Sequence, residues 1–67
     1  MKRILVSSLK LFLEGEAAKA KANVSVYLKY PAGIGEHPDV VEAMRSELSK
    51  LSQAEEDLAT LEKHFTD

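Results

Sequence analysis

Apolar residues recur at helical spacing along two long stretches of this chain, residues 2–30 and residues 38–65. In the second stretch they recur every seven positions, at Met44, Leu51, Leu58 and Phe65. In the first stretch, at 100° per residue, one face carries Val6, Leu9, Leu13, Ala17, Ala20, Val24, Tyr27 and Leu28. The pattern predicts two amphipathic helices of nearly equal length in an all-α fold.

The two stretches are separated by a predicted hinge. Both prolines and two of the three glycines of the chain lie there. Pro lacks an amide hydrogen and Gly adopts positive φ at little cost, so the chain stops, turns and restarts. A sharp turn between helices of equal length predicts an antiparallel two-helix hairpin, a single domain over residues 1–67. The hinge comprises Pro31, Gly33, Ile34, Gly35, Glu36, His37, Pro38 and Asp39.

Two starts are open for the second helix. His37 is one candidate N-cap, with Pro38 at the first helical position, where the missing amide hydrogen does no harm. Asp39 is the other, with Glu42 three residues later as a capping box.

The apolar stripe of the second helix drifts, because Val41 and Leu48 are followed at strict heptad spacing by glutamates, and Ala54 and Leu61 replace them. We interpret this drift as the wide buried face of a short helical bundle, which it suits better than a long two-stranded coiled coil. The predicted hairpin core is Leu9, Leu13, Ala20, Val24, Tyr27, Val41, Met44, Leu48, Leu51, Leu58, Leu61 and Phe65.

A second apolar strip lies on the first helix, nearly opposite the predicted core. A chain of 67 residues without cysteine buries too little surface to be comfortably stable alone, and it has no disulfides to compensate. We therefore expect a homo-oligomer, as a four-helix bundle or a higher ring. Gly15 is interpreted as a tolerated glycine, with a kink or a close backbone contact as the alternative. The predicted oligomer interface is Ile4, Leu11, Ala18, Ala22 and Val26.

Charge is divided between the two halves of the chain. Residues 1–35 carry six Lys/Arg against two Glu, a net +4, and residues 36–67 carry three Lys/Arg against nine Asp/Glu, a net −6. Opposite charges favour the antiparallel pairing of the halves. The same balance argues against nucleic acid as a partner, because phosphate recognition needs a positive surface that the fold itself does not neutralise.

No catalytic, cofactor-binding or metal-binding residues are predicted. The two histidines, His37 and His64, fall at opposite ends of an antiparallel hairpin. His37 with Glu36 and Asp39 could form a weak metal site, but a capping or solvent-exposed role is favoured. A two-helix hairpin offers no obvious pocket for convergent polar groups, so we expect a protein that is not an enzyme.

The hinge and its flanks carry a resemblance. Val26-Tyr27-Leu28 and the segment from Pro31-Ala32-Gly33-Ile34-Gly35-Glu36-His37-Pro38-Asp39 to Val40-Val41-Glu42-Ala43 resemble a segment of short uncharacterised α-helical proteins encoded by tailed bacteriophages. The resemblance covers about a third of the chain and none of the first dozen residues. It implies a small viral protein and brings no known activity.

The leading hypothesis is a non-enzymatic structural or interaction protein that self-associates through helix–helix packing, located in the cytoplasm of a host or in a virion. One alternative is a phage-encoded regulator that binds and inhibits a host protein through the acidic second helix; host or virion proteins are thus candidate partners. The other is an amphipathic protein on a membrane surface, through the run from Ile4 to Leu13. Membrane contact is disfavoured, because that run has a narrow polar sector and few basic residues.

Overall fold

The structure is a computed structural model of the chain, and it describes residues 2–30 and 39–65. Helix α1 spans Lys2–Lys29 and helix α2 spans Val40–Phe65. The helices pack along each other in a rod of 46 × 16 × 15 Å. The ion pair between Lys10, early in α1, and Glu62, late in α2, shows that they run antiparallel. The predicted all-α helical hairpin is confirmed.

Helix α1 ends where the sequence places a proline. The amide of Tyr30 donates to the carbonyl of Val26 at 2.8 Å, which extends the helical ladder by one bond beyond Lys29. Residue 31 is Pro, and a proline disfavours the helical conformation of the residue before it. The last helical residue is Lys29, whose charge is favourable at the negative end of the helix dipole.

Asp39 is the N-cap of α2. The amide of Glu42 donates to Asp39 Oδ1 at 2.8 Å, and the amide of Ala43 donates to the Asp39 carbonyl at 3.2 Å. A full capping box would also have the Glu42 carboxylate accept from the amide of Asp39. Here that carboxylate accepts from Arg45 at 2.8 Å, so the bond from the Glu42 amide to Asp39 is the half of the box that forms. The remaining predicted hinge residues, 31 to 38, lie outside the described residues.

The two helices meet along a seam that repeats every seven residues, the spacing of a left-handed coiled coil. On α1 the seam comprises Val6, Leu13, Ala20 and Tyr27, with Ala17 and Val24 between them. On α2 it comprises Val40, Glu47, Ala54 and Leu61, with Met44, Leu51 and Leu58 between them. The repeat on α2 continues from Val40 to Leu61 without a shift. The predicted drift of the apolar stripe is therefore wrong. It depends on Leu48 as a seam residue, whereas the seam position is occupied by the charged Glu47.

Four predicted core residues lie outside the seam. Val41 and Leu48 are 77% and 59% exposed, because each follows a seam residue and is rotated about 100° away from α1. Leu9 is 46% exposed at the edge of the seam, beside Leu13 and Leu61. Phe65 is 54% exposed at the last residue of α2, with its ring edge toward His64. Leu28, predicted for the same face, is also exposed.

The core of the hairpin is thin. Among the described residues, the buried apolar side chains are Leu13, Ala20, Ala54 and Leu61, and no large side chain is fully buried. The accessible surface is 5409 Å², whereas a compact monomer of 7.4 kDa exposes about 4,200 Å². The hairpin therefore leaves about 1,200 Å² more surface in water than a compact monomer of its mass.

Removal of the N-cap tests the start of α2. Asp39→Ala should lower the free energy of unfolding by about 1 kcal/mol, because the amide of Glu42 loses its acceptor. Asp39→Asn, which keeps an oxygen at the same place, should retain most of the stability. Urea unfolding followed by circular dichroism measures both. Equal losses for the two variants would contradict the assignment of Asp39 as the cap.

Candidate functional site

A polar cluster interrupts the apolar seam towards the hinge end. Glu47 is 7% exposed and lies at a seam position of α2. Asn23 Nδ2, on α1, donates to Glu47 Oε1, and Lys50 Nζ, one turn along α2, lies 2.8 Å from Glu47 Oε2. Both carboxylate oxygens thus have partners, and no described side chain has a buried polar atom left without one.

The hydrogen bonds of this cluster govern the ionisation of Glu47. The bond from Lys50, followed by the bond from Asn23, holds the pKa of Glu47 below its ordinary value of 4.5. Burial opposes this shift, and the charges of Lys50 and Lys19 add to it. The hydrogen bond with Glu47 in turn raises the pKa of Lys50. Glu47 is therefore an anion held by a cation of its own helix and an amide of the other helix.

Hydrophobic periodicity does not predict Glu47, because a charged residue is not expected at a buried seam position. The signal was present: Val40, Glu47, Ala54 and Leu61 are spaced seven apart, in step with Met44, Leu51 and Leu58. A single polar residue in an apolar heptad stripe commonly specifies the register of a coiled coil. The pairing with Asn23 matches that role, because a slide of either helix would separate the two side chains.

The predicted oligomer interface lies on the outer face of α1, away from α2. We call Ile4, Leu11, Ala18, Ala22 and Val26 the outer strip. The large members are exposed, Ile4 by 64%, Leu11 by 69% and Val26 by 50%, and the two alanines are exposed as well. Helix α2 therefore leaves every member of the strip exposed to solvent, the three large ones by half or more.

Gly15 lies on the same outer face, between Leu11 and Ala18 in sequence. A Cβ atom built on Gly15 would meet no atom within 4 Å, so packing within the hairpin does not require a glycine here. A glycine inside a helix costs about 1 kcal/mol relative to alanine. The fold of one chain therefore gives no reason for this glycine.

Two shorter apolar patches flank the seam. Leu9 and Phe65 border a groove of about 260 Å³ at the open end of the hairpin, and Leu5 and Phe12 continue this patch along α1. A second groove, of about 370 Å³, lies towards the hinge and is lined by Val24, Val41, Met44, Arg45 and Leu48. The first groove also has Asp57 and Thr60 in its wall, whereas Arg45 is the polar residue that lines the second.

The two histidines are the candidate metal ligands of the sequence. His64 is exposed near the end of α2, and His37 lies outside the described residues. Within residues 2–30 and 39–65, no group of three or more His, Cys, Asp or Glu side chains is arranged to hold a metal ion. Neither of the two described helices is long and apolar enough to cross a bilayer.

Comparison with protein-family models, with characterised proteins and with solved structures finds no match to this chain.

Loss of the cross-helix hydrogen bond should destabilise the hairpin. Asn23→Ala removes the donor to Glu47 and leaves part of a largely buried carboxylate unsatisfied, so the urea midpoint should fall. Gln53→Ala is the matched control, since it removes an amide–carboxylate bond of 2.9 Å, to Asp57, from the exposed surface. A double variant, Asn23→Leu with Glu47→Leu, should be at least as stable as the original chain, because apolar packing replaces a buried polar pair. An Asn23→Ala loss no larger than the control's would contradict a role for the cluster in the seam.

Acid should weaken the hairpin through Glu47. Because the folded-state pKa of Glu47 is lowered, its contribution to stability is complete well above pH 4.5 and is lost as the pH falls through the lower, folded-state value. Unfolding free energies measured between pH 7 and pH 3 should therefore fall less steeply for Glu47→Gln than for the original chain. Glu55→Gln, which changes an exposed carboxylate of α2, is the control. Identical slopes for Glu47→Gln and the original chain would contradict the assignment.

Proposed function

We propose that this chain is a non-enzymatic structural or interaction protein that self-associates through helix–helix packing. The observation that carries the proposal is the excess of exposed surface: about 1,200 Å² more per chain than a compact monomer has. A standard protein–protein interface buries about 800 Å² per partner, so one such interface would remove most of the excess.

The outer strip is the surface best suited to this association. It extends from residue 4 to residue 26, or about 33 Å along α1, without a charged member. The two flanking patches run only from Leu5 to Phe12 and from Val41 to Leu48 on their helices, about 10 Å each. Association through the strip would leave the acidic outer face of α2, with Glu55 and Glu56, open to solvent or to a further partner.

A regulator that binds a host protein through acidic α2 differs from this proposal in its prediction for the isolated protein. Such a regulator has no need to self-associate, whereas a structural module of this kind does. We also propose a phage origin, from the resemblance, and a location in the host cytoplasm or the virion. Self-association depends on neither.

Self-association should depend on the outer strip. Sedimentation equilibrium of the original chain should show a homo-oligomer, and its thermal midpoint should rise with protein concentration because association stabilises the folded state. Ile4→Ser with Leu11→Ser should raise the dissociation constant at least tenfold, on the order of 1.4 kcal/mol, since burial of a single Leu or Ile contributes about that much or more.

The control for this test is Val41→Ser with Leu48→Ser, which removes two exposed apolar side chains from α2 and should leave the association unchanged. A monomer at every concentration, with a thermal midpoint independent of concentration, would overturn the proposal. Weakening by the control pair alone would transfer the interface to the α2 flank.

A further inference from the structure

We infer that two copies of this chain pair through their outer strips in antiparallel orientation, with Leu11 of each copy opposite Ala22 of the other and Gly15 opposite Ala18. The inference rests on the proposed self-association and specifies its partner, orientation and register. The two-fold axis would cross α1 midway between Gly15 and Ala18.

The shape of the strip favours this arrangement. Its large side chains lie towards its two ends, Ile4 and Leu11 at one and Val26 at the other, and its small residues lie in the middle. Antiparallel pairing with residue numbers that sum to 33 sets Leu11 over Ala22 and brings two backbones together at Gly15 and Ala18. Leu11 then lies over the small Ala22 and Val26 over the small Ser7, which is how packed helices interlock, and Ile4 lies over Lys29 at the end of the pair.

Gly15 supports the same register. A Cβ at Gly15 would meet no atom of the described hairpin within 4 Å, although glycine disfavours a helix, so packing within the hairpin does not account for the residue. In the paired structure it lies beside the two-fold axis, where a side chain would hold the two helices apart. A parallel pair would instead set Leu11 against Leu11 and leave the small residues facing one another across a gap.

Charge at the edge of the strip favours the antiparallel orientation as well. Glu14 and Lys21 lie along the same edge, and neither forms an ion pair with another described residue. In an antiparallel helix pair, like edges of the two helices face each other. Glu14 of each copy therefore comes beside Lys21 of the other, and the symmetry creates two such pairs. These pairs select orientation and register more than they add affinity.

The decisive variant is Gly15→Leu. Because the site is open in the single chain and leucine favours helix, the helical content and the thermal midpoint of the monomer should be maintained or rise. The dissociation constant of the dimer should nevertheless increase at least about a hundredfold, because the side chain blocks the close approach. Ser49→Leu places the same side chain on the exposed face of α2 and should leave the dimer intact.

Crosslinking tests the orientation directly, since the chain contains no cysteine of its own. A mixture of Leu11→Cys and Ala22→Cys chains should give the mixed disulfide dimer on oxidation, and neither variant alone should crosslink efficiently. A dimer that survives Gly15→Leu, or efficient crosslinking of Leu11→Cys with itself, would overturn the inference while self-association stands. A chain that is monomeric from the outset refutes both the inference and the proposed function.

Discussion

The seam between α1 and α2 is the constraint on which the rest of the structure depends. Two helices can bury only one face each, and here that face contains two leucines and two alanines as its buried apolar residues. Small side chains let the helices approach closely but remove little apolar area from water. The pairing of the two helices is therefore well defined, but the apolar area that it buries is small. The proposed self-association would add stability by covering more of this apolar surface.

The polar cluster at Glu47 reduces the apolar core further and fixes the register of the two helices. A leucine at that seam position would enlarge the core, whereas the glutamate accepts a hydrogen bond from Asn23 across the helices and is held by Lys50 on its own helix. A buried polar pair contributes less to stability than apolar packing, but it penalises any slide of one helix along the other. Combined with the ion pair between Lys10 and Glu62 at the other end of the rod, it defines a single antiparallel register.

The two helices differ in the polarity of their outer faces. Helix α1 is apolar on its outer face as well as on the seam, whereas α2 places charged and polar residues on most of its outer face. Under the proposed self-association, this asymmetry would favour the α1 side of the hairpin, because removing the charges of α2 from water is costly. Pairing through α1 would leave both copies of α2 on the outside, so the assembled molecule would present an acidic surface over an apolar interior.

Much of the fold follows from the sequence alone. The two helical periodicities, the proline and glycine cluster between them and the capping signal at Asp39 sufficed to predict the hairpin and the ends of α2 within two residues. Which residues face the partner helix needed the tertiary structure, since Val41 and Leu48 satisfy a heptad as well as Val40 and Glu47 do. Hydrophobicity alone predicts Val41 and Leu48 at the seam. The structure places Val40 and Glu47 there, because Asn23 of α1 donates a hydrogen bond to the buried Glu47 carboxylate.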